Sequence, residues 1–180
     1  MQFKIIAAHD LNKKQQQQIA ELCFAAFDED PWSQYTFMQT AMHIIGILDG
    51  NIVSHALWTD RTFILKDGIT VKTAYIEYVT TAVKMRGKGL ASKLLKYLTD
   101  ALTTLGYELA ALQPEDETFY KKLDWISWWG DLYIKQDAST YLTDDYQIML
   151  FPLSAMLKER LTHNLKEDTI CADWREGELW

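Results

Sequence analysis

Cysteine, proline and positive charge are all scarce in this chain. Cys23 and Cys171 are its only two thiols. They have neither metal-ligand spacing nor a disulfide pattern, which excludes a zinc ribbon and a disulfide-stapled scaffold. With three prolines and eight glycines in 180 residues, no Pro- or Gly-rich linker divides it, and no repeat does either. Lys and Arg total 18 against 25 Asp and Glu, a net charge of −7. That balance argues against nucleic acid, which is held by clustered cations. No apolar run approaches a membrane span, and Met1 to Asp10 has no long apolar core. The expectation is therefore one soluble, cytoplasmic domain over 1–180, with no membrane partner. His9, His43, His55 and His163 form no spaced cluster, so all four read as structural or surface residues and no metal is implied. What the chain does have is apolar residues, 48% of the total, enough for a packed core.

Two of the few glycines fall together in Val83-Lys84-Met85-Arg86-Gly87-Lys88-Gly89-Leu90-Ala91. This stretch joins an apolar strand (Tyr75 to Val83) to an amphipathic helix (Leu90 to Leu105). Gly87 and Gly89 leave backbone N–H groups unshielded and allow dihedrals closed to other residues. The helix start adds orphan N–H groups and the positive end of its dipole. Strand, turn and helix together make a seat for phosphate. A P-loop requires Ser or Thr after the Lys, and Gly89 follows Lys88. A dinucleotide fingerprint requires Gly at position 92, which is Ser. An ordinary basic strand-to-helix turn is the plain alternative.

Around this turn the order of elements is regular. Phe3 to Ala7 reads as an edge strand. Asp10 or Asn12 can cap a helix buried through Ile19, Leu22, Cys23, Ala26 and Phe27. Asp28-Glu29-Asp30-Pro31 ends that helix, and a loop or short helix with Trp32, Tyr35 and Phe37 follows. His43–Leu48 and Ile52–Thr59 flank Asp49-Gly50-Asn51, a hairpin signal. A second hairpin turns at Lys66-Asp67-Gly68, between Arg61–Leu65 and Ile69–Val83. Leu90, Leu94, Leu98, Ala101, Leu102 and Leu105 form the buried stripe of the next helix, and Gly106 closes it. Glu108–Leu112 reads as a strand, Asp116–Leu123 as a helix and Tyr146–Phe151 as the last strand. The pattern implies an α+β layer fold, a mixed and mostly antiparallel sheet flanked by helices.

Arg86-x-x-Gly89-x-Ala91 resembles the R/Q-x-x-G-x-G/A pyrophosphate arm of the GCN5-related N-acetyltransferase (GNAT) superfamily, whose order of elements is the same. Asp173-Trp174-Arg175-Glu176-Gly177-Glu178-Leu179-Trp180 further resembles the D-W-R-[DE]-G-[DE]-x-W terminus of the aminoglycoside 2′-N-acetyltransferases. Tyr75–Val79 and Leu112–Trp125 are similar to segments of that family as well. The likeness covers the chain from about position 43 onward. Departures occur at Thr80-Thr81, at Gln113-Pro114-Glu115 and at Pro31-Trp32. They bear on the sugar substrate more than on the chemistry.

The resemblance implies acetyl-CoA as cosubstrate, with Val79 and Thr81 holding the pantetheine by backbone groups. Arg86, Gly87, Lys88, Gly89, Leu90 and Ala91 would hold the pyrophosphate. Glu77 is the one carboxylate in an otherwise apolar and neutral strand, where burial would raise its pKa and make it a better base. The family gives it a base or relay role. Tyr120 stands where the family's tyrosine protonates the CoA thiolate; the alternative is an aromatic packed on Phe119 and Leu123. Trp180 completes the catalytic candidates through its terminal carboxylate. An aminoglycoside is a polycation, so Asp28, Asp30, Glu77, Asp144, Asp145, Glu178 and Trp180 are candidates for its ammonium groups. The tail 167–180 is expected to fold back toward the acceptor site. Trp128, Trp129 and Tyr133, more aromatics than the core needs, suggest a homodimer. Other acceptors stay open, namely a kasugamycin-type aminoglycoside, a polyamine or a protein amine. So does a non-catalytic acyl-CoA-binding module.

Overall fold

The computed structural model describes residues 1–34, 39–143, 146–162, 165–176 and 179–180. Its contacts group into two compact units, one formed by 1–59 with 76–100 and the other by 60–75 with 101–180. Strands β3 (Asn51–Leu65) and β4 (Thr70–Thr81) and helix α3 (Leu90–Thr104) each contribute residues to both.

In the first unit, β1 (Gln2–Ala7) pairs antiparallel with β2 (Met42–Leu48), and β2 pairs antiparallel with β3. The β2–β3 turn holds Asp49 at φ 50° and Gly50 at φ 77°. Two successive left-handed residues match the right-handed twist of a hairpin, which is why Asp-Gly signals this turn. Helix α1 (Lys13–Phe27) is capped by Asn12, not Asp10. The Asn12 side chain accepts from the Gln15 N–H, and the Gln15 side chain accepts from the Asn12 N–H, each at 3.0 Å. The helix ends on Asp28 at φ 59°, and Pro31 opens the short α2 (Pro31–Gln34) as a first-turn proline can. Ile19 and Cys23 of α1 pack on Ile45 and Ile52.

In the second unit the strand order is β6-β9-β5-β4-β3-β10-β7-β8. β5 (Leu109–Leu112) runs parallel to β4 from Thr73↔Leu109 to Tyr75↔Ala111. β9 (Met149–Pro152) is antiparallel to β5 and to β6 (Ile126–Ser127). β10 (Thr169–Asp173) is antiparallel to β3 and parallel to β7 (Asp131–Gln136), and β8 (Ser139–Leu142) is antiparallel to β7. Helices α4 (Glu117–Lys121) and α5 (Ala155–Arg160) complete it. Its core joins Phe63, Tyr75, Trp128, Leu150, Leu157 and Trp180.

The α+β layering is as expected, with local corrections. Arg61–Leu65 is not a separate strand but the end of the single long β3. β4 stops at Thr81, and Val83–Met85 form a turn of 3₁₀ helix. The last expected strand begins three residues late, at Met149. Leu105 lies just past the end of α3 and is 51% exposed, while Leu95 and Thr99 are buried on the helix. Trp128 is 2% exposed, so it is a core residue and no surplus aromatic, although Trp129 is 57% exposed. Strands β6, β7, β8 and β10 were not expected. Tyr35 and Phe37 lie outside the described residues, as does His163.

Candidate active site

The glycine turn lies wholly in the first unit. After Thr81, the Met85 N–H donates to Ala82 at 2.7 Å and the Arg86 N–H to Val83 at 3.3 Å. The chain then passes through Gly87 at φ 74° and Gly89 at φ 71°. A Cβ at either glycine would meet nothing within 4 Å, so the space before the turn is open. Other residues are disfavoured there by the left-handed backbone. Lys93 N–H bonds to the Gly89 carbonyl at 3.2 Å, as α3 begins. Lys84, Arg86 and Lys88 are exposed, and Arg86 Nε donates to the Thr81 carbonyl at 3.2 Å. Leu90 anchors the helix start in the interior.

Strand β4 carries the other first-unit candidates. Its pairing with β5 covers Thr73 to Tyr75, and the strand then runs on to Thr81. Within that run Tyr78 sits at φ 53°, a left-handed kink of the kind a β-bulge makes. The kink falls between Glu77 and Val79. Glu77 is half-buried rather than buried, as are Val79 and Thr81. The Thr81 hydroxyl oxygen is buried with no hydrogen-bond partner among the described residues. Tyr78 is held from its side chain, its hydroxyl donating to Glu29 at 3.1 Å and its ring meeting Phe27 edge-on at 5.6 Å.

Tyr120 lies in the second unit, on α4, and is 9% exposed. Its ring meets Phe119 at 5.0 Å and Trp125 at 5.8 Å, both edge-on, so the aromatic packing foreseen with Phe119 is present. Burial, with a smaller contribution from Glu115, pushes its pKa up to about 12. The phenol therefore stays protonated at ordinary pH. Trp180 is 2% exposed. Its ring meets Phe63 at 5.7 Å, and its indole N–H donates to the Thr143 hydroxyl at 2.9 Å. Arg61, 4% exposed, donates from Nε to the Asp173 carboxylate at 3.1 Å and from Nη1 to the Leu179 carbonyl at 3.0 Å. Its Nη2 donates to the Asp173 carbonyl.

Among the acidic candidates, Asp28 is exposed and caps α1 in the left-handed conformation, which short polar side chains tolerate. Asp30 accepts from the Trp32 N–H at 3.0 Å. Both have local structural explanations. Asp144, Asp145 and Glu178 lie outside the described residues. No group of three or more His, Cys, Asp or Glu able to hold a metal occurs among the described residues. No described helix is long and apolar enough to cross a membrane.

Residues 4–127 match the family described as acetyltransferase (GNAT) domain. The chain belongs to that family. The match runs from β1 to β6 and includes the kinked strand, the glycine turn and Tyr120. No curated protein matches the chain. Among solved structures, the GNAT family N-acetyltransferase YhbS of Escherichia coli, crystallised in complex with CoA, aligns with a TM-score of 0.64 at 14% identity, covering 98% of this chain and 91% of that one. Escherichia coli ElaA aligns with a TM-score of 0.59 at 16% identity, over 83% of this chain and 97% of that one. The ribosomal-protein-S18-alanine N-acetyltransferase of Escherichia coli gives 0.54 at 16% identity, over 85% and 95%. At such identities the likeness is one of fold, and the fold is the GNAT fold.

Sequence reasoning missed one arrangement in this GNAT chain. His43 and His55, dismissed as unclustered, are both 0% exposed and meet Nδ1 to Nε2 at 2.9 Å. Cys23 Sγ lies 3.9 Å from His55 Nδ1. Histidines twelve apart show no ligand spacing in a linear reading. The Asp-Gly hairpin that brings β2 beside β3 was itself legible, but counting rungs from it pairs His43 with Ala56 and sets the two histidines on opposite faces; the register shift between Gly46 and Ile47 brings them to one face.

Proposed function

We propose that the chain is an acetyl-CoA-dependent N-acetyltransferase acting on a small polycationic amine, with the 2′-amine of an aminoglycoside as the specific acceptor. The observation that carries the transferase reading is the pair of left-handed glycines at the start of α3, directly after a strand kinked at Tyr78. Helix-start N–H groups and the dipole favour a pyrophosphate there, and Arg86 and Lys88 add charge. Bound acetyl-CoA supplies the acyl group as a thioester. Val79 and Thr81 orient the pantetheine through their backbone groups, in the manner of an added strand. Glu77 takes the proton of the acceptor ammonium, directly or through a water. Tyr120 keeps its own proton, and with a pKa near 12 it acts on a developing thiolate as a hydrogen-bond donor. Full proton transfer to a thiolate, whose thiol titrates near ~8.5, would run uphill.

The aminoglycoside reading draws its support from the Asp173–Trp180 octapeptide and from the net charge of −7, which suits a cationic acceptor. We read 1–180 as one acetyltransferase domain whose tail 167–180 serves the acceptor site. Homodimerisation belongs to the same reading and rests on the exposure of Trp129.

The test is calorimetric titration with acetyl-CoA, followed by CoA release against aminoglycosides, a polyamine and a peptide with an N-terminal alanine. Micromolar binding and release with an aminoglycoside are expected. Glu77→Gln should lower turnover by ~10²–10⁴-fold, most near neutral pH and less as free amine accumulates at higher pH. Release with the peptide alone would move the acceptor to proteins. Absence of acetyl-CoA binding would overturn the transferase reading altogether.

A further inference from the structure

The first unit buries two histidines that no step of the proposed chemistry uses. In the β2–β3 register His43 pairs with Leu57 and His55 with Ile45, so the two rings are diagonal neighbours on one face of the sheet. His43 Nδ1 and His55 Nε2 are 2.9 Å apart. The Tyr78 backbone favours the protonated form of the His55 ring, as a carbonyl accepting from a ring N–H does. With Nε2 facing His43, the nitrogen left for Tyr78 is Nδ1; as the donor to that carbonyl it carries the proton, and the Cys23 Sγ at 3.9 Å from it is then on the acceptor side. A neutral imidazole carries one proton, so His55 Nε2 must accept from His43 Nδ1–H. His43 Nε2 is then bare, and it is buried without a partner among the described residues. The His43 ring is held in place by stacking on Trp32 at 5.1 Å. The hydrogen bonds thus run one way, from His43 through His55 to Tyr78.

That endpoint matters because of peptide planarity. The Tyr78 carbonyl and the Val79 N–H belong to one rigid peptide unit and point in opposite directions. Fixing the carbonyl toward His55 therefore aims the Val79 N–H the other way. The same peptide leaves the residue at φ 53°, a conformation an L residue keeps only when its surroundings hold it. The Tyr78 side chain has its own anchors in Glu29 and Phe27; the histidines supply the anchor on the backbone.

We propose that His43 and His55 are positioning residues for acetyl transfer, a buried hydrogen-bond chain that fixes the Tyr78–Val79 peptide and so orients the Val79 N–H toward the acyl donor and Glu77 toward the amine. This rests on the transferase reading above. The two are tested separately. In the free protein, ¹⁵N–¹H correlation of the imidazoles should find both rings neutral with the proton on Nδ1. A proton on Nε2 of His55 would overturn the chain as drawn. His55→Leu should fold but bind acetyl-CoA roughly tenfold more weakly, about the worth of one hydrogen bond. Its kcat should fall by up to ~10²-fold, as misplacement of a reacting group does. His55→Gln keeps a donor and an acceptor and should recover most of both, whereas His43→Phe keeps the stacking on Trp32 and should resemble His55→Leu. Equal acetyl-CoA affinity and turnover in wild type and a folded His55→Leu would overturn the proposal and leave the transferase reading standing. Wild-type protein that does not bind acetyl-CoA would overturn the reading, with the imidazole tautomers still deciding whether the brace exists.

Discussion

Burial gives several side chains a fixed protonation state, and that has consequences for stability as well as chemistry. Burial lowers the His43 pKa to about 4 and drives the fully enclosed His55 well below its ordinary 6.5, with His43 adding to the effect. Cys23, whose Sγ lies 3.9 Å from His55 Nδ1, is pushed up to about 12 by burial, then by Asp30 and Glu29, so it stays an uncharged thiol. A histidine whose folded pKa is depressed binds a proton more readily in the unfolded chain. Its contribution is therefore fully present above pH 6.5 and is lost as pH falls toward 4. For His43 alone the gap between 6.5 and about 4 corresponds to about 3 kcal/mol. Urea unfolding at pH 7 and at pH 4 should differ by at least that order. His43→Phe, which removes one titrating ring, should narrow the difference. Equal stability of the wild type at the two pH values would mean that the rings are not held neutral.

Helix α3 and the turn before it show what a strand-to-helix junction must supply. Gly89→Val would place a β-branched side chain at φ 71°, a conformation nearly closed to it. The turn would open or shift, and the N–H groups with it. Acetyl-CoA affinity should fall below detection in calorimetry while the far-ultraviolet circular dichroism keeps its shape; unchanged affinity would remove the turn from the site. This junction could be read in advance because each of its parts leaves a local mark: glycines, cations and a 3.6-residue apolar stripe. Asn12, the Asp49-Gly50 hairpin and the Gly106 helix end were legible for the same reason. The short strands were not. β6 has two residues, every residue of β8 is exposed, and β10 alternates only through Ile170 and Ala172, so periodicity had almost nothing to count. The kink at Tyr78 was hidden too, since a tyrosine gives no sign that its backbone will be left-handed. Tyr78 lies between two predicted site residues, and its conformation is imposed by contacts from α1 and β3 that are distant in sequence.

Across the whole molecule, the acid surplus and the C-terminal segment have to be separated into anchor and charge. The anchor is visible in the second unit: Trp180 fills a place against Phe63, its indole held by Thr143, whose hydroxyl in turn donates to the Leu132 carbonyl at 2.9 Å. Arg61 ties Asp173 and Leu179 to β3, and its guanidinium and that of Arg175 lie 5.6 and 5.2 Å from the Tyr75 ring centroid. A buried indole has a sufficient reason to be there in packing alone, so Trp180→Ala should cost ~3–5 kcal/mol whatever the substrate. Glu178 differs, because the acceptor reading assigns it a charge to offer and no part in the core. On that reading Glu178→Gln should leave the melting temperature near wild type. A hydrogen bond to a charged group is worth about 1.5–3 kcal/mol, so the acceptor KM should rise by about tenfold or more. Acetyl-CoA affinity should not move, since the cofactor is assigned to the glycine turn and β4. The defect should also shrink with added salt, which screens a carboxylate–ammonium pair. If Glu178→Gln acetylates polycationic amines as well as the wild type at low salt, the segment serves only to plug the core through Trp180, and the acceptor must find its carboxylates elsewhere on the chain.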